Sequence, residues 1–306
     1  MPDLEAAVRA VRGAAPHIEI RPGEALRDHT SFKIGGPVRA MLFPKSAEEL
    51  ALAVSILHGS GIEPLVLGNG TNILAPDGPL ELIAVKTAPG LGGIALTGET
   101  EITAGSGAPL HKVAAFAAEH GLAGFEFAHG IPGTLGGAVV MNAGAYGGEM
   151  GDAVRRTSAV DQNGRPFEVT GDEHRFSYRR SAFSDSKDIV VSSVIGLTKG
   201  DPDEIRARME ELARRRRDSQ PLNFPSAGSA FKRPEGGYAA ALIEQAGLKG
   251  FTVGGARVSE KHTGFIVNTG GATYGDVVAV MRHVEETVMR KFGVKLEPEI
   301  KIIQKR

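Results

Sequence analysis

The amino-acid sequence predicts an α+β protein of two or three compact units, and three observations carry that reading. Helical and strand patterns alternate from the start, with short strands dominating the middle of the chain. The 306 residues exceed one minimal core on a prior of about 100–200 residues per domain. Finally, 41 glycines, roughly twice the ~7% share typical of proteins, cluster in short loops between apolar runs. Composition leaves two readings of those loops open: tight turns in a β-rich chain, or a cofactor cradled by backbone N–H groups.

The elements follow in order. Ser46 and Glu49 form an S-x-x-E capping box that opens a helix near residues 47–58, stopped by Gly59 and Gly61. Residues 64–67 read as a short buried strand running into Gly68-Asn-Gly-Thr-Asn72. Residues 83–86, 94–96 and 101–104 are further strands, separated by Pro and Gly. A helix near 110–120 ends at Gly121 and precedes the most glycine-dense segment, Gly130-Ile-Pro-Gly-Thr-Leu-Gly-Gly137. Strands near 157–161 and 189–194 flank an Asn163-Gly164 hairpin turn. Residues 203–217 form a charged helix ending in four arginines, and 238–245 a short helix closed by Gly247. The clearest helix is 276–291, with Val277, Val280, Met281, Val284, Val288 and Met289 on one face. No internal repeat is present.

Composition excludes several classes. A formal charge of −1 argues against a sequence-independent nucleic-acid binder, whose affinity needs basic surface. With no cysteine, disulfides, thiol chemistry, thiolate metal sites and iron–sulfur clusters are all removed, so redox chemistry would rest on an organic cofactor or a Cys-free metal site. The nine histidines show no H-x-x-x-H or H-E-x-x-H spacing, so no metal site is expected. No secretory signal is visible, and no run approaches the ~18 apolar residues of a membrane span. The expected location is the cytoplasm, without membrane insertion.

The motifs point away from a Rossmann fold. Ile73 stands where G-x-G-x-x-G would place its third glycine after Gly68 and Gly70, and Leu110 spoils the pattern at Gly105 and Gly107. Glycines 133, 136 and 137 could align N–H donors as a nest for a pyrophosphate, or could form a closely packed helix–strand corner. The arginines at 214–217 could clamp an anion or form a solvated face. Three polar segments stand out: Tyr178-Arg-Arg-Ser181 between Phe176 and Phe183, Ser229 in a small-residue loop before Lys232, and Glu299 in Leu296-Glu-Pro-Glu299.

Together these segments resemble the UDP-N-acetylenolpyruvoylglucosamine reductases, also called UDP-N-acetylmuramate dehydrogenases. The resemblance runs from His29-Thr-Ser-Phe-Lys-Ile-Gly-Gly36 to Glu297-Pro-Glu299. Its marks are Gly68-Asn-Gly-Thr-Asn-Ile-Leu74, Gly130–Gly137 with Asn142-Ala-Gly-Ala-Tyr-Gly147, Tyr178-Arg179, Gly228-Ser229-x-Phe-Lys232, Leu248-Lys-Gly250 and Leu296–Glu299. The resemblance implies the FAD-binding fold of the vanillyl-alcohol oxidase and p-cresol methylhydroxylase type. Two FAD-binding subdomains are expected at 1–86, with 294–306 returning to the first, and at 87–202. An α+β substrate domain is expected at 203–293. No tyrosine lies between Tyr178 and Tyr238, as the longer family members would require of the loop that covers their substrate, so the chain resembles the shorter, second type.

The resemblance also implies the chemistry. NADPH as co-substrate passes a hydride to non-covalent FAD, and a hydride then passes to the enolpyruvyl group of UDP-N-acetylglucosamine enolpyruvate, giving UDP-N-acetylmuramate for peptidoglycan synthesis. Arg179 matches the arginine at the substrate carboxylate, Ser229 the proton donor and Glu299 the third active-site residue. The implied FAD positions are Gly68, Asn69, Gly70, Thr71, Asn72, Gly130, Ile131, Pro132, Gly133, Thr134, Gly136 and Gly137. Lys249 matches a lysine at the substrate diphosphate, and Lys232 is a substrate-side cation able to assist Ser229. Two rivals remain at this stage. A same-fold FAD-dependent alcohol or sugar oxidase has no obvious use for Ser229 with Glu299, and a non-catalytic flavin or nucleotide-sugar binder would keep the glycine loops but has no need of Arg179, Ser229 and Glu299 at once.

Overall fold

The structure, a computed structural model, describes residues 2–304. The chain folds as two compact units. One holds the chain up to Pro22 together with Arg39–Asn69 and Leu82–Arg215, and the other holds Gly23–Val38, Gly70–Glu81 and the chain from Arg216 on.

In the first unit, a four-stranded sheet runs in the order Glu19–Pro22, Val38–Phe43, Leu80–Lys86, Leu65–Leu67. Helices Leu4–Ala14 and Ala47–Gly59 bury Val11, Leu50, Val54 and Leu57 with Leu42, Ile83 and Val85 of its strands. The Ser46 hydroxyl caps the second helix by accepting from Glu49 N–H at 3.2 Å. The expected reciprocal half of that box is displaced, because the Glu49 carboxylate takes the Lys45 N–H instead, at 2.6 Å. The strand Leu65–Leu67 is not buried throughout. Leu67 is inside while Val66 points outward, the alternation a pleated strand imposes.

A five-stranded antiparallel sheet of the same unit runs Pro166–Thr170, Val154–Val160, Ile189–Gly196, Glu101–Gly105, Ile94–Leu96. Its core takes in Ile102, Val113, Ala117, Phe125, Leu135, Val139 and Ile195. The hairpin after Val160 is one residue longer than an Asn-Gly turn. Asp161 and Arg165 close it, and Asp161 Oδ1 accepts from the N–H groups of Asn163 and Arg165 at 2.7 and 2.9 Å. Gly164 takes φ +74°, where glycine carries no steric penalty. A helix not anticipated from the sequence, Leu135–Met141, follows directly on the glycine-dense segment.

In the second unit, strands Ser226–Ser229, Phe265–Asn268, Ala256–Val258 and Thr252–Val253 form a sheet in that order. Helix Tyr274–Phe292 covers it with Val277, Val280, Met281, Val284 and Val288. Met289, expected on this face, is 48% exposed, and Thr287 takes the buried place. The cause is angular, since 289 falls outside the i, i+3, i+4, i+7 stripe that begins at Val277. Phe32, Ile34 and Leu74 belong to the same core. Strand Lys301–Ile302 pairs in parallel with Ile73–Leu74. Among the described residues, no helix is long and apolar enough to cross a membrane, and no cluster of His, Asp and Glu could hold a metal.

Candidate functional site

The glycine-dense segment forms a corner stitched to the strand–helix turn at residues 105–110. Leu110 N–H donates to Gly133 O at 3.1 Å, Leu135 N–H to Ala108 O at 2.9 Å and Gly136 N–H to Ser106 O at 2.9 Å. Packing here is close, because a Cβ on Gly136 would stand 2.7 Å from Ser106 Cβ. Gly133, at φ +133°, sets the chain's entry into the helix. With its N–H already bonded, Gly136 contributes close approach rather than a donor. Gly130, Ile131 and Gly133 are half-buried, and Pro132 and Gly137 are exposed.

Of the second glycine-rich segment, residues 68–69 belong to the first unit and residues 70–72 to the second. In the first unit Gly68 follows strand Leu65–Leu67, and its carbonyl accepts from Lys86 Nζ at 2.7 Å. A Cβ on Gly68 would overlap Thr134 Oγ1, so the two glycine-rich segments touch at this point. Asn69 is half-buried beside it. In the second unit, Gly70 at φ +59° lies so close to the His29 carbonyl that a Cβ would overlap it. Asn72 Nδ2 donates to Glu299 O at 3.1 Å, and Thr71 is half-buried between the two.

Three buried polar atoms around the glycine corner have no hydrogen-bond partner: Thr134 Oγ1, Ser106 Oγ and His129 Nδ1. An unpaired buried polar group costs about 1–3 kcal/mol. A polar ligand seated at the corner would satisfy them, while the missing side chains of Gly68 and Gly136 let Thr134 and Ser106 pack against the backbone there. The residues present therefore fit FAD.

Arg179 lies on a tight turn of the first unit, in which Ser177 and Arg180 exchange both backbone hydrogen bonds at 3.0 Å. Its φ of +57° is the left-handed region, a conformation that costs a non-glycine residue on the order of 1–3 kcal/mol and collects at functional sites. Arg179 is half-buried, and its guanidinium carbon lies 5.2 Å from the centre of the Tyr178 ring. Arg180 instead points to solvent and pairs with Asp185.

His174 anchors the base of this loop. It is fully buried and stacks on Phe176 at 4.9 Å. Its Nδ1 donates to Gly171 O at 3.0 Å, and its Nε2 faces Thr157 Oγ1 at 2.9 Å, which in turn meets Ser193 Oγ. Burial pushes its pKa below the ordinary value, opposed by the Gly171 hydrogen bond. A histidine held neutral in the fold but free to protonate when unfolded makes stability fall as pH drops below about 6.5, by up to ~1.4 kcal/mol per pH unit. His58, His111 and His262 shift the same way, also through burial. The expected result is therefore comparative: denaturant unfolding of His174→Gln should show a shallower loss of stability from pH 7 to 5 than the parent protein.

In the second unit, Ser229 ends strand Ser226–Ser229 and pairs across from Phe265, just after a bulge and Gly228 at φ +77°. The chain then turns into register with the C-terminal segment. Glu299 N–H donates to Ala230 O, and Lys232 N–H to Glu297 O, both at 2.9 Å. This pairing brings Ser229 and Glu299, far apart in sequence, onto neighbouring backbones, and both are half-buried. Lys232 Nζ lies 3.4 Å from Glu297 Oε2, so its charge is already shared. Lys249 is exposed and 3.2 Å from Glu244 Oε1. The arginine run conforms to a solvated face at Arg214, Arg215 and Arg217, with Arg215 paired to Glu211.

Two matches to family models agree with this arrangement. Residues 220–303 match the C-terminal domain of UDP-N-acetylenolpyruvoylglucosamine reductase, and residues 38–170 match an FAD binding domain. The chain is 49% identical to the UDP-N-acetylenolpyruvoylglucosamine reductase of Caldanaerobacter subterraneus, over 92% of each chain. It is 43% identical to that of Clostridioides difficile, over 93% of each. The crystal structure of UDP-N-acetylenolpyruvylglucosamine reductase from Thermus caldophilus superposes with a TM-score of 0.80 at 34% identity, covering 94% of this chain and 99% of that one.

Proposed function

The chain belongs to the UDP-N-acetylenolpyruvoylglucosamine reductase family, and from that premise we propose which of its side chains carry the reaction. It has the FAD-binding fold of the vanillyl-alcohol oxidase type and is an FAD-dependent oxidoreductase. It uses NADPH to reduce UDP-N-acetylglucosamine enolpyruvate to UDP-N-acetylmuramate in peptidoglycan synthesis. Bound FAD supplies the hydride relay, from the nicotinamide of NADPH to the terminal vinyl carbon of the enolpyruvyl ether.

Hydride arriving at that carbon pushes an electron pair toward the adjacent carbon and its carboxylate. Arg179 holds this carboxylate and stabilises the developing enolate; a planar guanidinium suits both tasks. Ser229 donates its hydroxyl proton to the adjacent carbon, completing the saturated lactyl ether, and regains a proton from solvent. Glu299 polarises the intermediate beside it. The bond from Glu299 N–H to Ala230 O, at 2.9 Å, is the observation that supports this pairing of roles.

Gly68, Asn69, Gly70, Thr71, Asn72 and residues 130–137 hold FAD, with Thr134 Oγ1 as a hydroxyl the cofactor satisfies. Lys232 and Lys249 bind the substrate's anionic groups, Lys249 exchanging Glu244 for a diphosphate oxygen. The division into parts at residues 86, 202 and 293, with the C-terminal segment returning to the first, belongs to the same proposal. So does a cytoplasmic location, where NADPH and nucleotide sugars are available.

Anaerobic single-turnover absorbance tests the reading. NADPH should bleach the flavin band, and UDP-N-acetylglucosamine enolpyruvate should restore it without oxygen. A band that returns only on admitting air would instead indicate an oxidase.

A further inference from the structure

Helix Leu135–Met141 starts at the glycine corner and spans about 10 Å at 1.5 Å per residue. Asn142 ends it at φ +42°, fully buried. Both ends of its amide are used: Oδ1 accepts from Gly151 N–H at 2.9 Å, and Nδ2 donates to Ser177 O at 3.0 Å. An N–H faces one end and a carbonyl faces the other, so the partners fix which end is which. The Ser177 carbonyl is the one that also accepts from Arg180 N–H in the turn bearing Arg179.

The far side of that turn is tied to the same helix. Ser181 Oγ and Ser184 Oγ both donate to Val140 O, at 3.0 and 2.7 Å. Glycine would end a helix at φ +42° with less strain than asparagine. What asparagine adds here is the amide, and the amide's long-range partner is the turn of Arg179.

We propose that Asn142 is a positioning residue for Arg179, fixing the guanidinium's turn to the helix that begins at the cofactor corner. This rests on the assignment of Arg179 to the substrate carboxylate. Asn142→Asp keeps the acceptor toward Gly151 but sets an oxygen against the Ser177 carbonyl. Asn142→Gly keeps the backbone conformation and removes the amide, which covers the case in which a buried carboxylate prevents folding.

Both variants, with Arg179→Ala and the double variant Arg179→Ala/Asn142→Gly, would be followed by anaerobic rapid mixing. The expected result is that the Asn142 variants keep their flavin and are reduced by NADPH at the parent rate, while reoxidation by the enolpyruvyl substrate slows by up to about 100-fold, the penalty of a small misplacement. The double variant should be no slower than Arg179→Ala, because residues acting as a unit are not additive. A purely structural role would give multiplicative slowing, and that result overturns the proposal. So does an unchanged reoxidation rate in both Asn142 variants, or loss of flavin from both. If Arg179→Ala reoxidises at the parent rate, the fault lies in the assignment of Arg179, and the positioning role falls with it.

Discussion

Ser229→Ala should be reduced by NADPH as fast as the parent protein and then stall, with reoxidation by the enolpyruvyl substrate slowed about 10²–10⁴-fold. That range is the usual contribution of a positioned proton donor. The stall follows from the order of events. Hydride transfer to the vinyl carbon leaves charge on the neighbouring carbon and carboxylate, and the step completes only when a proton arrives. Arg179 can stabilise that charge but cannot supply a proton at neutral pH. Glu299 is the alternative donor, on the backbone paired with Ala230 at 2.9 Å. Stopped-flow absorbance of Ser229→Ala beside Glu299→Gln decides between them. Near-parent reoxidation in the serine variant, with a stall in the glutamine variant, would transfer the proton to Glu299.

Gly68→Ala is expected to weaken FAD binding by about 10- to 100-fold. The added Cβ would overlap Thr134 Oγ1 and stand 3.1 Å from Thr134 Cβ and Cγ2. Forcing a methyl into such a space costs about 1–3 kcal/mol, and each 1.4 kcal/mol is tenfold in affinity. The strain falls on Gly68 and Thr134, the two groups assigned to the cofactor. Gly93→Ala is the control, since a Cβ there meets nothing within 4 Å. Fluorescence titration of both apoproteins with FAD gives the comparison. Equal affinities would remove Gly68 from the cofactor site.

Much of the fold was readable from local pattern. Helices near 47–58, 110–120 and 276–291 and the strands around 94–96 and 101–104 were placed within a few residues, because apolar periodicity and flanking glycines are local signals. The misses have particular causes. Helix Leu135–Met141 was hidden because its first turn carries Gly136 and Gly137, both poor helix formers, and only Gly136 is explained by close packing against Ser106. Glu49 turned from its expected cap because Lys45 offers a competing N–H. The left-handed backbone at Arg179 has no sequence mark, since glycine is what usually announces one. His174 was passed over, and Asn142 was named only within a family motif and without a role, for a related reason. A lone histidine or asparagine says nothing of its depth, and the partners that give each its meaning lie 17 and 35 residues away. The nearness of Ser229 and Glu299 rests on strand pairing between distant segments, so spacing could not reveal it, and only the family resemblance raised them together.

The hydrogen bond from Asn72 to Glu299 spans 227 residues and sits beside the parallel pairing of Ile73–Leu74 with Lys301–Ile302. At about 5–20 residues per second, a ribosome needs roughly 10–50 s to travel that distance. Throughout that interval Leu74, fully buried in the folded protein, has been translated without its later partners, among them Ile302. The second unit is thus completed only after residues 299–302 are made, with non-local contacts that form slowly. Until residues 299–302 emerge, the strand Ile73–Leu74 lacks the parallel partner it has in the folded chain.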